Sequence, residues 1–380
     1  MGNFLELMET WDGYRPMTDR RLSEAAMARA LDLLTNARGV PMHRHRYEMQ
    51  EAITTSDFPT LFGGILDRQL MARYSAVKPE WRSWVPTGRL TDFRQAELHK
   101  VQGLDTRLDK VAEKANYPLA PMSTAHYHRQ LFKYGRMFDI SWESIINDAM
   151  GAMRDIEDRF LEAALLSEAW EATGTYASAT GPNPALFGAT IADVDGQAIT
   201  NQGVLALTIA NIQTTLGLMA KQTDVNGRTL SISGVNLVVP KLLEFTARQA
   251  LTSAYVQQVD TAGGANATTP TFVPLGTSNV LPQVGLQLHV DENLAAMDVS
   301  GNGDGTWYLC ANKGAMQMDF LAGHESPEIC MKSSDKVSTG GGSISPFEGD
   351  FESDNVLYRV RHCFGGTQLD PRYAYAQVHV

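Results

Sequence analysis

The feature that most constrains the fold of this chain is an amphipathic segment that begins at Ser141. Apolar side chains recur at spacings of three and four between Ile145 and Leu165, which predicts one continuous helix over residues 141–172. Ser141 is a suitable N-cap and Gly174 a suitable C-cap. At about 1.5 Å per residue the helix would be roughly 45 Å long, whereas the mean helix has about 11–12 residues. A helix of this length is unusual in a compact domain.

Residues 87–140, which precede this helix, consist mainly of two polar runs, TGRLTDFRQAELHKVQGL and STAHYHRQLFKYGRMFDIS. Their patchy alternation favours strands, and two such runs in succession predict a long hairpin. The runs offer few apolar side chains for a core of their own, and an isolated two-stranded hairpin is marginally stable in water. We therefore expect this hairpin to lie on a surface outside its own domain, which points to a partner chain.

The rest of the chain mixes helices and strands. Shorter helices are predicted to begin near Thr18 and near Ser56 or Asp57, a further helix is predicted over residues 200–219, and Pro240 is predicted to open another. Four alternating segments predict strands in the C-terminal part: GLQLHVDENL, TWYLCANKGAMQMDFLAG, VLYRVRHCFGG and RYAYAQVHV. Strands on both sides of the long helix indicate a domain assembled from discontinuous pieces.

Composition excludes several classes of protein. The 380 residues are 43% hydrophobic and 20% charged, which is typical of a folded chain, and no run approaches the ~18 apolar residues of a membrane helix. The N-terminal residues are acidic and lack the basic and apolar regions of a secretion signal. Cys310, Cys330 and Cys363 include no CxxC pair, so we predict buried thiols and synthesis in a reducing, intracellular compartment.

The net charge of −11 argues against a tight grip on nucleic acid, because neutralisation of phosphates by Lys and Arg dominates such affinity. Cations nevertheless concentrate in two segments. The N-terminal segment carries Arg15, Arg20, Arg21, Arg44 and Arg46. The predicted hairpin carries Arg89, Arg94, Lys100, Arg107, Lys110, Lys114, Arg129 and Lys133. For the hairpin set, simple solvation is one interpretation and docking on the acidic surface of a neighbouring chain is the other. For the N-terminal set, we favour an interfacial arm whose arginines pair with acidic neighbours, and contact with nucleic acid is the alternative.

Two histidine pairs, His43/His45 and His126/His128, have the spacing at which side chains on a strand face the same way. A metal site needs further ligands, and the sequence places no convergent carboxylate or cysteine beside either pair. We therefore predict surface histidines and no metal site.

No catalytic constellation emerges from the sequence. His324 and Glu325 lack the second histidine of an HExxH motif, and the glycine-rich residues 338–346 lack the lysine of a P-loop. A hydrolase that uses His324 and Glu325 is the enzymatic alternative. We predict neither an enzymatic activity nor a cofactor.

Three segments carry a resemblance to a known family: EAITTSDFPTLFGGILDRQLMARY, YGRMFDISWESIIND and RVRHCFGGTQLDPRYAY. From about Glu51 to the C terminus the chain resembles, in the same order, the major capsid proteins of tailed bacteriophages, more narrowly the Mu-like or prohead-protease-associated branch. The resemblance implies an α+β fold of the Hong Kong 97 type. It also implies self-assembly into the hexamers and pentamers of an icosahedral shell that encloses the DNA genome. An encapsulin-like compartment of the same fold is the structural alternative.

The resemblance further implies a division of the chain into segments. These are an N-terminal arm (1–55), a peripheral domain with the spine helix (56–86 and 141–199), an E-loop (87–140), an axial domain (200–317) and peripheral return strands (318–380). The E-loop would lie over the spine helix of a neighbour and the arm would reach into adjacent subunits, so the cations of both segments are assigned to inter-subunit contacts. Gly151 is the expected site of flexing in the spine helix; close packing of another backbone is the alternative reason for this glycine.

The implied partners are other copies of the chain, a separate scaffolding protein, a portal, in some shells a decoration protein, and double-stranded DNA in loose, non-specific contact; no membrane is implied. The implied location is the virion, after assembly in the cytoplasm of the host bacterium. Some members of the family crosslink an E-loop lysine to an asparagine of a neighbour. Lys110 or Lys114 and Asn355 are chemically suitable for this reaction, although nothing in the sequence requires it.

Overall fold

The structure, a computed structural model, describes the chain from residue 70 onward. Within that part it leaves out residues 72, 103–107, 109, 112, 115, 118, 120–122, 142–149, 225, 254, 258–275, 338, 340–343, 345–348 and 380. The helices predicted near Thr18 and Ser56, and all the arginines of the N-terminal segment, therefore lie outside the described residues.

The described elements are a few helices separated by runs of strands. The helices are α1 (Met150–Tyr176), α2 (Ile209–Ala220), α3 (Glu244–Thr252) and α4 (Leu294–Met297). The strands are β1 (Thr87–Leu90), β2 (Ala96–Gln102), β3 (Ser123–Arg129), β4 (Phe132–Ile140), β5 (Ala177–Ser178), β6 (Gly181–Pro182), β7 (Ile191–Ala192), β8 (Ala198–Ile199), β9 (Gln202–Gly203), β10 (Val235–Pro240), β11 (Tyr255–Gln257), β12 (Gly276–Ser278), β13 (Gln287–Asp291), β14 (Trp307–Ala311), β15 (Met316–Leu321), β16 (Glu328–Met331), β17 (Val356–Gln368) and β18 (Ala374–Gln377). This mixture confirms the predicted α+β class, and the four C-terminal segments predicted as strands contain β13, β14, β15, β17 and β18.

The chain forms two compact units, each from separate stretches. The described residues of the first unit lie within Met137–Arg154 and Ile329–Arg359. The second unit comprises Leu70–Arg136, Asp155–Glu328 and Val360–Val380. Several strand pairings of the second unit therefore join residues that are distant in sequence, such as Thr87 opposite Met318 and Asn236 opposite Cys310.

The predicted long helix is present as α1, which has 27 residues. Its predicted first turns fall partly in residues 142–149, outside the described part of the chain. The prediction that Gly174 caps the C-terminal end is wrong, because α1 continues to Tyr176. The phenol side chain of Tyr176 is 1% exposed in the core, and the Thr175 hydroxyl donates to the carbonyl of Ala172 at 2.6 Å. Burial of these two side chains outweighs the preference of glycine for a helix end.

One sheet of the second unit explains where the ends of the predicted hairpin go. Strand β1 runs parallel to β15, from Thr87 opposite Met318 to Leu90 opposite Leu321, and β15 is antiparallel to β17. On the other side of β17 the Tyr134 ring of β4 stacks on Phe364, with 4.3 Å between the ring centroids. The hairpin predicted over 87–140 is thus shorter than expected, since both of its ends join this sheet.

A second sheet of the same unit has the strand order β13-β10-β14-β18-β9. Strand β10, the second in this order, is almost entirely buried and pairs in parallel with β13 and antiparallel with β14. One face of the sheet packs on α2 and α3 around Trp307, Leu237 and Ile212, which are fully buried. Apolar burial of this kind contributes about 25 cal/mol per Å². This face of the sheet forms one hydrophobic cluster of the unit, and a larger one surrounds Trp84, Tyr176 and Phe364.

Two predicted helix starts in this region are wrong. Residues 202–203 form β9 beside β18, so α2 begins at Ile209, where the Thr208 side chain accepts a hydrogen bond from the Asn211 backbone N–H at 3.2 Å. Pro240 ends β10, and a 3-10 turn over Lys241–Leu243 precedes α3. In both places pairing in the sheet takes residues that helical periodicity had assigned to a helix.

The first unit contains the end of β4 and the beginning of β17. The Phe138 and Tyr358 rings stack with centroids 5.1 Å apart, and the side-chain amide of Asn355 donates to Asp139 Oδ2 at 3.2 Å. Within the described parts of the chain, no helix is both long enough and apolar enough to cross a lipid bilayer.

Candidate functional site

The hairpin formed by β2 and β3, hereafter the β2–β3 hairpin, is the candidate site of contact with other subunits. Its strands are antiparallel with seven opposed pairs, from Ala96 opposite Arg129 to Gln102 opposite Ser123. Ala125 and Tyr127 on one face are buried, each 9% exposed. The other face is exposed and carries Glu97, His99, Val101, Thr124, His126 and His128. The hairpin is therefore two-sided, and the expectation that it rests entirely on a partner chain needs correction.

Lys100 ties the buried face of the hairpin to the second unit. Its ammonium group donates to Asp370 Oδ2 at 2.6 Å and to Asp193 Oδ2 at 3.0 Å. The Tyr127 hydroxyl donates to the other oxygen of Asp193 at 2.9 Å. Both aspartates are 6% exposed, so these are charge-assisted contacts away from bulk water, which are stronger than neutral ones. They fix the position of the hairpin on its own unit.

Arg372, which is 1% exposed, binds the same two aspartates and extends these contacts into the interior of the unit. One terminal nitrogen donates to Asp193 at 3.0 Å and to Asp370 at 3.2 Å. The other donates to Asp195 Oδ2 at 2.6 Å and to Gln197 Oε1 at 2.8 Å. We call Lys100, Tyr127, Asp193, Asp195, Asp370 and Arg372 the anchor network. The planar guanidinium of Arg372 can bridge several carboxylates at once, which a lysine ammonium does less well.

Local structure places these aspartates. Asp370 caps the 3-10 turn over Pro371–Tyr373, where its side chain accepts from the Arg372 backbone N–H at 3.0 Å. Proline at the first position of a turn and aspartate before it is a recognisable local signal. Asp193 begins the turn between β7 and β8, closed by a hydrogen bond from the Gly196 N–H at 2.8 Å. The left-handed φ of +81° at Gly196 suits glycine.

The pKa values of the anchor network reflect three carboxylates that face two cations. Burial, and then the charge of Asp370, raises the pKa of Asp193, although Lys100 opposes the rise. Burial also acts to raise the pKa of Asp195, but the hydrogen bond from Arg372 outweighs it and lowers that pKa. Burial likewise opposes the ionised form of Lys100, yet its bond to Asp370 leaves the pKa of Lys100 raised. Lys100 therefore favours the ionised form of Asp193, and Arg372 favours that of Asp195.

Arg129 at the base of the hairpin makes a second anchor. Its Nε donates to Asp319 Oδ2 at 2.8 Å and a terminal nitrogen donates to Asp319 Oδ1. Asp319 is fully buried and also accepts from the Gln317 amide at 2.8 Å. A two-pronged arginine–carboxylate pair is both strong and directional. It joins the end of β3 to β15.

The cations predicted at the hairpin thus fall into different groups. Lys100 and Arg129 are paired with buried carboxylates of their own chain, which sequence reasoning did not foresee. Arg89 pairs with Glu325 at 2.6 Å, and both side chains are exposed, at 70% and 41%. The exposed cations are Arg94, Lys110, Lys114 and Lys133, whereas Arg107 lies outside the described residues. The contacts of these side chains with other subunits stay a prediction.

A buried carboxylate on α1 forms a separate polar cluster. Glu168 is fully buried, accepts from an Arg82 terminal nitrogen at 2.9 Å, lies 2.7 Å from His362 Nε2 and accepts from the Tyr74 hydroxyl. Burial, followed by the charge of Glu168, raises the pKa of Tyr74 and keeps its hydroxyl protonated as a donor. The cluster fixes α1 against β17, since Glu168 and His362 belong to those elements.

The exposed face of the hairpin overturns one expectation. The sequence analysis predicts no carboxylate beside the His126/His128 pair. In the structure the carboxylate of Glu97 and the imidazole of His99, both on the opposite strand, lie beside His126. Their ligand atoms and that of His126 all lie within 4.8 Å of one another. The strand register that brings them together was not evident from spacing within either strand.

The sequence model of the phage capsid protein family matches residues 129–377, from the end of β3 to the last strand. The chain belongs to the phage capsid protein family. A capsid is a shell of many protein copies, so this phage capsid protein is a structural component of the virion.

Solved structures with a similar trace include phage capsids. The chain is similar to a structure from Gordonia phage Cozz, with 11% identity, TM-score 0.47, and 79% and 86% of the two chains covered. It is also similar to the mature capsid of bacteriophage PhiM1, with 12% identity, TM-score 0.49, and 80% and 88% covered. A third is the capsid of an empty GTA particle, with 10% identity, TM-score 0.46, and 80% and 91% covered. A comparison with curated protein sequences gives no match.

Proposed function

We propose that this phage capsid protein is the major head protein of a tailed bacteriophage. Its copies form the hexamers and pentamers of an icosahedral shell, with the Hong Kong 97-type fold, around the double-stranded DNA genome. The match to the capsid family over residues 129–377 carries the proposal. The long helix α1 and the discontinuous units support it, because both suit a shell subunit better than an isolated domain.

The two-sided hairpin suggests how such a subunit makes contacts. The anchor network and the Arg129–Asp319 pair orient the β2–β3 hairpin, so that its exposed face is presented in one direction. We propose that the exposed cations Arg94, Lys110, Lys114 and Lys133 dock on a neighbouring subunit. Lys100 and Arg129 act instead from within, by holding the hairpin in place.

The remaining parts of the proposal rest on the family. The segment before residue 56, with Arg15, Arg20, Arg21, Arg44 and Arg46, is proposed as an arm that reaches adjacent subunits. A scaffolding protein, a portal and a decoration protein are proposed partners, and assembly is proposed to occur in the bacterial cytoplasm. DNA contact is proposed to be loose, which suits the net charge of −11. A crosslink from Lys110 or Lys114 to Asn355 is chemically suitable, but nothing in the sequence requires it. Denaturing gels of mature particles with only monomer would dismiss it.

Electron microscopy of the full-length chain, purified after expression alone or with the scaffolding gene, tests the proposal. Uniform polyhedral particles are the expected result, and a monodisperse monomer at high concentration in both preparations would contradict it. The paired variants Arg94→Glu and Lys133→Glu sharpen the test. Both should impair assembly while leaving the melting temperature of unassembled subunits close to that of the parent, because these side chains are exposed.

A further inference from the structure

The exposed face of the β2–β3 hairpin carries three metal-ligating side chains that the shell-building role does not use. They are Glu97, His99 and His126, and all three are exposed. His99 lies directly opposite His126 in the register, and Glu97 precedes His99 by two residues on the same face. The two imidazole rings meet edge to face, with centroids 5.4 Å apart and an interplanar angle of 87°.

We propose that Glu97, His99 and His126 bind a divalent transition-metal ion of the zinc class. Two imidazole nitrogens and a carboxylate oxygen form a ligand set that suits Zn²⁺ better than Ca²⁺ or Mg²⁺. The ligand atoms lie within 4.8 Å of one another. Bonds of about 2.0–2.2 Å to a tetrahedral ion place ligand atoms roughly 3.4 Å apart, so the ligand atoms must approach one another by at most about 1.4 Å. Rotation of exposed side chains supplies this movement.

The hairpin holds these ligands ready because its buried face fixes the register. Tyr127, between His126 and His128 on β3, is held by Asp193, and Lys100, next to His99 on β2, is held by Asp370. Neighbouring residues on a strand point to opposite faces, so the Lys100 ammonium is directed away from the site. Directly opposed residues have Cβ atoms about 4.5–5.5 Å apart, which suits a cross-strand histidine pair.

His128 shares this face, opposite Glu97, but its ring nitrogens do not belong to the group of atoms within 4.8 Å. Three protein ligands leave a fourth position of a tetrahedral ion for water or for a group of another molecule. A bound ion would bridge β2 and β3 and hold the exposed face of the hairpin in one conformation. The site does not depend on the role of the chain in a shell.

Zinc binding to the full-length, metal-free chain is the direct test, by competition with a chromophoric chelator. We expect saturable binding of one Zn²⁺ at this site per chain. Loss of a residue that only supports a metal ligand lowers metal affinity by about 10–100-fold. His99→Asn and His126→Asn remove ligands themselves, so each should lower the Zn²⁺ affinity by at least that factor. Glu97→Gln should lower it as well. His128→Asn and Cys330→Ser are the controls, because they remove the nearest other imidazole and a partly exposed thiol, and both should retain parental affinity.

Zinc-edge X-ray absorption provides a second readout, with two nitrogen ligands at about 2.0–2.1 Å and one carboxylate oxygen expected in the parent. Circular dichroism of the metal-free variants should match that of the parent, because the three side chains are exposed. His99→Gln replaces His99→Asn if the latter fails to fold. The proposal is overturned if the parent shows no saturable binding, if the His99 and His126 variants bind as the parent does, or if Cys330→Ser abolishes binding.

Discussion

Replacement of Lys100 by methionine should loosen the β2–β3 hairpin and destabilise the second unit. Methionine keeps most of the length of the side chain but removes its charge and its donors. The change breaks the contacts to Asp370 at 2.6 Å and to Asp193 at 3.0 Å and leaves two buried carboxylates with Arg372 as their remaining cation in the anchor network.

The expected cost is about 3 kcal/mol in the free energy of unfolding. Removal of one partner of a buried ion pair costs about 3–5 kcal/mol, and each hydrogen bond to a charged group is worth about 1.5–3 kcal/mol. The Lys100 side chain is 23% exposed, so water compensates part of the loss. Arg372 compensates another part, which places the estimate at the lower end of the range.

The matched control is Arg89→Met. Arg89 pairs with Glu325 at 2.6 Å, but its side chain is 70% exposed, and exposed pairs are worth about 0–1 kcal/mol. Urea unfolding of unassembled subunits measures both variants. Hydrogen exchange of the β2 and β3 amides should accelerate in Lys100→Met and stay near the parental rate in Arg89→Met.

A double-mutant cycle with Asp370→Asn isolates the pair. Asp370→Asn removes one of the carboxylates that Lys100 neutralises, so the double variant should cost less than the sum of the single ones, by about 1–3 kcal/mol. The deficit of Lys100→Met should also shrink as the pH falls from neutral. Burial raises the pKa of Asp193 and Lys100 opposes that rise, so loss of Lys100 should raise this pKa further. Protonation of Asp193 then relieves more of the penalty in the variant than in the parent as the pH falls. Additivity within about 0.5 kcal/mol, together with a pH-independent deficit, would refute this account of the anchor network.

Three further predictions concern other parts of the chain. Gly366→Ala should destabilise the second unit by about 1–3 kcal/mol in urea unfolding, because the new Cβ would lie 2.6 Å from Thr175 Cγ2. The control Gly217→Ala in α2 places its Cβ more than 4 Å from other atoms and should stabilise the unit by up to about 1 kcal/mol. Equal effects of the two substitutions would contradict the packing argument. Burial lowers the pKa of His289 despite the nearby Glu80, so around this pKa the unfolded chain binds a proton that the folded chain does not. The free energy of unfolding should therefore fall as the pH drops below about 6.5, the ordinary pKa of histidine. His289→Gln should make the free energy of unfolding less dependent on pH in this range. Hydrogen exchange near Gly151 should differ between the procapsid and the mature shell, and identical exchange would exclude flexing at this residue.

The elements that the sequence predicts well are those with a strong local signal. The 3.6-residue period predicts α1, and alternation predicts β17 and β18, because a buried face imposes its period on the residues that form it. The errors occur where another element decides the outcome. Gly174 continues the helix because Tyr176 is buried, and β1 leaves the predicted hairpin because β15 offers a pairing partner.

The anchor network carries no comparable local signal. Lys100 meets Asp193 and Asp370, which are 93 and 270 positions away in the sequence. Within the sequence, Lys100 is one cation among several in a polar run, and its period-two spacing does not reveal which face of the strand is buried. The same is true of His99 and His126, which become neighbours through the register of the hairpin. Tertiary pairing therefore determines which polar side chains of this segment act within the subunit and which remain exposed.

This division of the hairpin bears on how a shell could be held together by weak contacts. A flexible polar arm loses conformational freedom when it docks, and that loss subtracts from the binding energy. The anchor network and the Arg129–Asp319 pair order the hairpin within the subunit, before any neighbour is present. Docking of the hairpin on a neighbour then requires less additional ordering, so individually weak contacts at the exposed cations before, between and after its two strands can still produce net affinity. On this argument a variant such as Lys100→Met should impair assembly through the loss of its contacts to Asp193 and Asp370. The size of the defect should track the mobility of the β2–β3 hairpin rather than the charge of the exposed cations.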